Sequence, residues 1–416
     1  MWRYKKNLYC GHIGFSYLER RIQMTSVEIT FWLSVAILFY CYVGYGILLY
    51  AWNTVKSLFL PLANPPDFEL LPVTLVVAAY NEEAVLKEKI NNTLQIDYPA
   101  DRFQVVFITD GSTDGSVELI GRYNFITVLH QSRRQGKSAA IRRAMRFVRT
   151  PIVVFSDANA MLNSGCIKAI VRHYHDKKVG GVAGEKKIIK NERTSIIGEA
   201  EGLYWKYESF MKKQESAFNT VIGGAGELFS IRTELFQLPD DNLVLDDFMM
   251  SMQVCLEGYK IKYEAGAYAL ENASASLWEE EKRKTRIAAG AYQSAEYLRQ
   301  AFHVFKDPLL SFQYISRRLL RWVASPILIL LVLATNVWLV VHQPGITFNS
   351  LLLAQVIFYS LALLGRIFVA IGRRVGILNI PFYFLFMNIC LVKGFFKYIQ
   401  GGQSVLWEKS LREAMK

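Results

Sequence analysis

Two aspartates end apolar runs that are rich in β-branched and aromatic residues. Asp110 ends FQVVFITD, and Asp157 ends PIVVFSD with Asn159 two positions later. Such runs are typical of buried strands, so each carboxylate is expected at a strand end. Hard cations such as Mg²⁺ bind oxygen ligands, often together with substrate phosphates. Asp157 is therefore a candidate ligand for a metal that bridges a diphosphate, with Asn159 as a neutral helper. The alternative is that they cap a helix and form a turn.

A second acidic feature is the pair Asp246-Asp247 in LDDFMMSMQV. The apolar spacing after the pair predicts an amphipathic helix that begins at these two residues. A positioned carboxylate can accept a proton from an attacking hydroxyl, so the pair is a candidate general base. An acid at a helix N-terminus is also favoured by the helix dipole alone. The pair by itself leaves both interpretations open.

The elements that must position these residues lie between about Leu71 and Phe302, after the Pro-rich linker PLANPPDFELLP. Here short apolar runs (VTLVVAAY, FQVVFITD, FITVLH and PIVVFSDAN) alternate with helical patterns. This alternation predicts an α/β domain with a parallel sheet. Ligands of such sheets bind at the carboxyl ends of the strands, where the polar residues of this segment cluster.

Long apolar runs flank this domain and predict membrane helices, since the chain has 416 residues and is 52% hydrophobic. The runs are Ile29–Trp52, about Val323–Val341, about Leu351–Ile371 and about Ile377–Val392. The first carries no charged side chain, and the second follows Arg317, Arg318 and Arg321, which indicate a cytoplasmic flank. The fourth is short, so it can span, re-enter or lie in the interface.

The formal net charge of +12 suits an anionic partner. The basic residues often flank apolar runs, which favours a membrane surface, and no nucleic-acid-binding module is recognisable, so nucleic acid is not expected as a partner. The five cysteines form no close pair, so neither a disulfide framework nor a thiolate zinc site is indicated.

The N-terminal residues conflict with a cytoplasmic catalytic domain. A single first span would place them outside, yet they are basic and prefer the inside: Arg3, Lys5, Lys6, Arg20 and Arg21. We expect either that translation starts at Met24 or that the first 23 residues are unstructured. A cleaved signal peptide is the weaker alternative, because the apolar run is long for one.

Eight short motifs occur in a fixed order along the α/β segment. They are AAYNEE, TDGSTDGS, GKSAAI, SDAN, GLYWKYESF, GGAGELFSIR, LDDFMMSMQVCLEGYK and RKTRIAAG. Each motif is weak alone, but the ordered set resembles membrane-bound family 2 glycosyltransferases of the polysaccharide-synthase-like group, which have a GT-A fold. The resemblance covers the whole α/β segment. It implies an α/β, Rossmann-like GT-A domain joined to transmembrane helices.

The resemblance assigns roles to individual residues. Nucleotide-sugar binding falls to Tyr80, Glu82, Asp110, Lys137 and Asp157, and the metal to Asp157 with Asn159. Acceptor binding falls to Gly224, Ala225, Gly226 and Arg283. Catalysis falls to Asp246, Asp247 and Arg286, with Asp247 favoured over Asp246 as the base by its place in the pattern.

One departure from the family bears on the product. Processive members typically carry Gln-x-x-Arg-Trp, whereas this chain reads Arg283-Lys284-Thr285-Arg286-Ile287. Arg286 keeps the cation, but the Trp that would stack on the acceptor sugar is absent, which puts long-chain polymerisation in doubt. A solvated or lipid-facing basic run is the alternative interpretation of this stretch.

The resemblance implies an inverting transferase that moves a sugar, expected to be UDP-linked, with Mg²⁺ or Mn²⁺. The acceptor would be a saccharide or lipid-linked saccharide in cell-surface polysaccharide or glycan synthesis. The enzyme would be a multi-pass protein of the cell (inner) membrane with a cytoplasmic catalytic domain. Two alternatives are transfer of one sugar to a polyprenyl phosphate and a non-catalytic membrane scaffold.

The expected domain boundaries follow from the same patterns. They are a basic segment at 1–25, a transmembrane helix at 26–55, the GT-A domain at 71–302, C-terminal membrane or interface helices at 303–400, and a tail at 401–416.

Overall fold

The structure is a computed structural model that describes residues 23–59, 69–189, 196–238, 243–299, 306–371 and 376–401. The basic residues before Gln23 and the tail from 402 onward lie outside these ranges, so the expectations for the N-terminal segment and the C-terminal tail are not addressed by it.

One mixed sheet organises the described α/β region. Its strands are β1 (Val73–Ala79), β2 (Phe103–Asp110), β3 (Ile126–Gln131), β4 (Ile152–Asp157), β5 (Met161–Leu162), β6 (Val179–Ile188), β7 (Phe229–Arg232) and β8 (Lys260–Glu271). Their order across the sheet is β3-β2-β1-β4-β7-β6-β8-β5. The strands predicted from the apolar runs, β1 to β4, are mutually parallel.

The other half of the sheet differs from the parallel prediction. β7 runs antiparallel to both of its neighbours, β4 and β6, and β5 runs antiparallel to β8. β5 and β7 are only two and four residues long, so neither gives a clear periodic signal in the sequence.

Seven helices of the described ranges accompany the sheet or follow it. Five are short or of medium length: α2 (Glu83–Leu94), α3 (Ser116–Gly121), α4 (Lys137–Met145), α5 (Cys166–Val171) and α7 (Asp246–Leu256). Two are long: α6 (Ile196–Phe218) and α8 (Leu277–Tyr297). Because α4 and α7 begin at Lys137 and Asp246, the sequence-predicted cation and acidic pair lie at helix starts.

Four helices of the described ranges are long and apolar enough to cross a membrane. They are α1 (Gln23–Phe59), α9 (Pro308–His342), α10 (Ile346–Ala370) and α11 (Asn379–Ile399). Each contains one of the apolar runs found in the sequence. Half of the residues in the most apolar stretch of α11 are buried inside the protein, because this helix packs along α8. A Cβ added to Gly394 of α11 would lie 2.4 Å from Ala288 Cβ, so the two helices approach closely there.

Helix α6 joins the sheet domain to the candidate spans. The Tyr207 hydroxyl donates to the Tyr42 carbonyl of α1 at 3.0 Å. On the other side, Arg317 of α9 pairs with Glu208 at 2.6 Å and with Glu215 at 3.1 Å, and all three side chains are almost fully buried. Ion pairs that are removed from water require such close partners. The junction is therefore a packed interface and not a flexible tether.

Candidate functional site

Asp110, the last residue of β2, binds the loop that precedes helix α4. Asp110 is 1% exposed, and one of its oxygens accepts hydrogen bonds from the backbone N–H groups of Gln135 (2.9 Å) and Gly136 (2.6 Å). Its other oxygen pairs with Arg143 at 2.7 Å. Asp110 was assigned to nucleoside binding, and the structure shows a carboxylate that is already fully engaged. Its direct effect is to fix the loop that leads to Lys137.

The end of β1 carries the other residues assigned to the nucleoside. The guanidinium of Arg134 lies 3.7 Å from the ring centroid of Tyr80, so the same loop also covers this tyrosine. Glu82 precedes α2, and its backbone N–H donates to the Ser116 hydroxyl at 3.1 Å. Tyr80, Glu82 and Asp110 thus lie along the carboxyl edge of two paired strands.

The turn after β4 presents Asp157 to Lys137. Lys137 Nζ lies 2.6 Å from Asp157 Oδ1. Burial alone would lower the pKa of Lys137, but Asp157, with Asp246 and Asp247, raises it above its usual value. Asn159 follows in the turn and is half-buried. Lys137 therefore remains positively charged beside Asp157, the last residue of β4.

Lys89 of α2 donates hydrogen bonds to the turn that contains Asp157. Its buried Nζ donates to the Ser156 hydroxyl at 2.8 Å and to the Ala160 carbonyl at 2.5 Å, on the two sides of Asp157. Burial lowers the pKa of Lys89 to about 8. Such a buried amine requires hydrogen-bond acceptors, so it holds the turn in one conformation.

A divalent metal would find one carboxylate at this turn, that of Asp157. No group of three or more His, Cys, Asp or Glu side chains suited to a metal occurs among the described residues. Mg²⁺ is commonly bound by one or two carboxylates together with substrate phosphates and waters. The donor set at Asp157 and Asn159 therefore fits such a metal when a diphosphate supplies further oxygens, and not as an independent protein cage.

Three charged side chains converge on the glycine-rich loop at Gly226. A Cβ built there would lie 3.0 Å from Lys137 Nζ, 3.2 Å from Asp247 Oδ2 and 3.8 Å from Asp157 Oδ1. Its neighbours are equally confined: Gly223 has a φ of +96°, and Gly224 donates its N–H to the Ser251 hydroxyl at 2.8 Å. The absence of a side chain at Gly226 leaves the space in which these three charged groups approach one another.

The pair Asp246-Asp247 begins helix α7 and has two different environments. Asp246 is buried, and its Oδ2 accepts no hydrogen bond from the described residues. Asp247 Oδ1 accepts from the Phe248 N–H at 2.7 Å. Burial, and then the neighbouring Asp246 carboxylate, raises the pKa of Asp247 to about 7. A general base works best when its pKa lies near the working pH, so Asp247 suits that role.

The two arginines of RKTRI differ in their contacts. Arg283 pairs with Glu201 at 2.7 Å and with Glu280 at 2.9 Å, so its cation is neutralised within the protein. Burial lowers the pKa of Arg286, and Asp246 is the largest of the charges that oppose this shift. Arg286 thus lies within electrostatic range of Asp246 and Asp247, whereas Arg283 chiefly joins α8 to α6.

Asp247 lies between two cavities. A narrow recess on the sheet side is lined by Lys137, Asp157, Gly226, Asp246 and Asp247. A larger cavity of about 440 Å³ lies on the helix side, between α6, the loop at 223–227, α8, α9 and α11. Ile287, the residue at the place of the missing Trp, lines this second cavity. The Asp247 carboxylate therefore borders both the recess beside Lys137 and Asp157 and the larger cavity.

Several supporting residues escaped the sequence interpretation because their partners are distant in the chain. Arg143, Lys89 and Lys212 are examples: Lys212 of α6 lines the large cavity, and burial lowers its pKa. Each of these residues lies in a predicted helical pattern, and such a pattern does not identify the partner of a side chain.

Comparisons with known proteins agree with this geometry. Residues 74–237 match the family model described as Glycosyl transferase family 2. Over 249 residues the chain is 27% identical to the poly-beta-1,6-N-acetyl-D-glucosamine synthase of Staphylococcus aureus, covering 56% of this chain and 58% of that protein. Over 237 residues it is 27% identical to the beta-monoglucosyldiacylglycerol synthase of Nostoc sp., covering 53% of this chain and 49% of the relative. The matches thus span about half the length of these curated relatives.

A solved structure extends the comparison to the helices. The mannosyltransferase PcManGT from Pyrobaculum calidifontis, in complex with GDP-Man and Mn²⁺, superposes with a TM-score of 0.64 at 21% identity, covering 89% of this chain and 99% of that chain. This likeness shows the fold, so the predicted GT-A fold is confirmed. The family resemblance is confirmed by the match of residues 74–237 to the family model. Residues 74–237 match glycosyl transferase family 2, in a chain whose described part also carries four helices able to cross a membrane.

Proposed function

We propose that the protein is a membrane-bound, inverting glycosyltransferase. It transfers a sugar from a nucleotide-sugar donor, expected to be a UDP-sugar, to a saccharide or lipid-linked saccharide. The activity serves cell-surface polysaccharide or glycan synthesis. The poly-N-acetylglucosamine and glucosyldiacylglycerol synthases to which the chain is similar support this substrate range.

One observation carries the proposal: Asp247 lines both the narrow recess and the large cavity. A hydroxyl that enters from the large cavity can lose its proton to Asp247 as it attacks the anomeric carbon. With one base on the acceptor side and the leaving group on the other, a single displacement inverts the anomeric configuration. The pKa of about 7 lets the carboxylate accept this proton near neutral pH.

The donor side offers cations to the departing nucleoside diphosphate. Lys137 lies at the start of α4, within 2.6 Å of Asp157, and Arg286 lies within electrostatic range of the same acids. Positive charges placed where negative charge develops lower the barrier. Mg²⁺ or Mn²⁺, held by Asp157 and Asn159 with the diphosphate, would add Lewis-acid stabilisation of the same group.

We further propose that the sheet domain faces the cytoplasm at the cell (inner) membrane. Arg317, Arg318 and Arg321 precede the apolar part of α9 on the side of the sheet domain, and such basic flanks favour the cytoplasmic side. Nucleotide sugars are made in this compartment, so the donor would be available there.

Release of nucleoside diphosphate tests the function. Membranes that contain the full chain are given a panel of UDP- and GDP-sugars with Mg²⁺ or Mn²⁺, and released nucleotide and product mass are measured. We expect release with one or a few donors, and a product whose anomeric configuration is inverted. Donor binding without release from any donor would favour the non-catalytic scaffold, and retained configuration would contradict the single displacement.

A further inference from the structure

We propose that the large cavity binds the aliphatic chain of a lipid-linked acceptor, with the reacting hydroxyl held at Asp247. This inference rests on the proposed function and specifies its acceptor. The cavity connects the candidate base to α11, a helix apolar enough to lie in the membrane. An amphipathic substrate matches a space that joins a carboxylate to such a helix.

Part of the cavity lining is aliphatic and suits a lipid chain. Ile287 of α8 faces the cavity together with Ile380, Met387 and Leu391 of α11. Aliphatic side chains offer no hydrogen bonds to the hydroxyls of a saccharide, and a saccharide buried there would lose its hydrogen bonds to water. An alkyl or isoprenoid chain is stabilised at the same wall by the removal of apolar surface from water.

Two aliphatic residues that line the cavity are also exposed at the surface. Leu203 of α6 is 47% exposed and Ile380 of α11 is 62% exposed. Exposed aliphatic side chains on a candidate span suit the entry of a lipid chain from the bilayer.

The wall nearest to Asp247 is polar and aromatic. Lys212 is only 4% exposed, and no hydrogen bond or ion pair joins its Nζ to another residue of the described ranges. The Trp205 ring lies 5.9 Å from this Nζ. A buried ammonium without an acceptor is costly, so a headgroup oxygen would complete its hydrogen bonding. The cavity thus has one end for a polar headgroup and one for an apolar chain.

Photolabelling tests the location of the chain directly. The full protein in phosphatidylcholine nanodiscs is exposed to a C12 alkyl glucoside that carries a diazirine in its chain, and the labelled peptides are identified. We expect labelling of the segments 283–291 and 379–391, reduced at least fivefold by excess dodecyl glucoside. Labelling confined to the outward face of α10, or labelling that the competitor does not reduce, would overturn the proposal.

Cavity-filling variants provide the matched comparison. Ile287→Trp and Met387→Trp should reduce the competed labelling at least fivefold, whereas Leu353→Trp on the exposed face of α10 should leave it unchanged. Thermal unfolding of each variant checks that the fold is retained. Unchanged labelling in both folded cavity variants would contradict the proposal.

Kinetics separates this inference from the proposed function. With the donor found in the nucleotide screen, we expect a long-chain acceptor of a given headgroup to exceed its methyl glycoside at least tenfold in kcat/KM, and Met387→Trp to remove that advantage. Equal kcat/KM for the two acceptors would overturn the lipid inference while the transferase function stands. Absence of nucleotide release from every donor would instead count against the proposed function itself.

Discussion

The two sides of Asp247 differ in how much apolar surface lines them. On the sheet side, the charged groups at the strand ends are paired: Asp110 with Arg143, and Asp157 with Lys137. On the helix side, paired charges such as Arg283 also line the cavity, but its wall towards α11 is mainly aliphatic and aromatic, and its Lys212 has no hydrogen-bond or ion-pair partner among the described residues. A self-paired polar site suits a charged ligand that exchanges partners on binding. An apolar cavity beside membrane helices suits a ligand that is already in the membrane.

The largest expected effect lies at the boundary itself. Asp247→Asn removes the base but keeps the size of the side chain, so transfer should fall by about 10²- to 10⁴-fold. Nucleotide binding on the sheet side should persist, measured by calorimetry with the nucleoside diphosphate. Turnover within threefold of the unaltered protein would remove Asp247 as the base.

A second prediction concerns the junction that shapes the helix side. Arg317→Met removes the ion-pair partner of the buried Glu215 and one of the partners of Glu208, which keeps Arg321 at 3.0 Å. Leaving the Glu215 carboxylate buried without its cation should cost about 3–5 kcal/mol of stability. The midpoint of thermal unfolding should drop markedly. The control is Arg299→Met, which breaks an exposed pair with Glu296 and should change stability by at most about 1 kcal/mol. Equal midpoints for the two variants would contradict a structural role for the buried cluster.

The sheet side is tested by Asp157→Ala. The change removes a metal-ligand candidate and frees Lys137 from its ion pair, so KM for the donor should rise by about tenfold, or 1.4 kcal/mol. The metal concentration needed for half-maximal rate should rise as well. Asn159→Ala, which removes only a neutral oxygen, should have a smaller effect. An unchanged metal requirement in Asp157→Ala would exclude this residue from the metal site.

The smallest expected effect is a shift in pH dependence. Because a general base must be deprotonated, kcat/KM should fall as the pH drops below about 7. Asp246→Asn removes a negative charge that raises the pKa of Asp247, so the acidic limb should move to lower pH. Asp246→Glu keeps the charge and should keep the limb. A limb that does not move in Asp246→Asn would show that another group controls it.

The local parts of this architecture were predictable from the sequence. The runs ending in Asp110 and Asp157 gave strand ends, because burial on both faces produces continuous apolar stretches. Asp246 was expected at a helix start from the spacing that follows it, and the helix does begin there. Each of these signals lies within about ten neighbouring residues.

The long-range parts were not predictable. Asp157 lies 20 positions from Lys137, Arg143 lies 33 positions from Asp110, and Glu201 lies 82 positions from Arg283. The large cavity combines segments around 204, 287 and 387, none of which marks its partners. The antiparallel insertion of β7 depends on which strand edge is left open, and this is a property of the assembled sheet. The site assignments taken from the family resemblance therefore remain predictions for the variants above to test.

The ion pair between Lys137 and Asp157 has a consequence for the order in which ligands bind. The Asp157 carboxylate already has a counter-ion in the protein, the Lys137 ammonium. A divalent cation that binds alone must therefore compete with this ammonium. A nucleotide that arrives with its metal offers that ammonium a new partner in its phosphates, and the exchange leaves no charge unpaired. We expect metal and nucleotide to enter as one complex, with metal alone binding weakly.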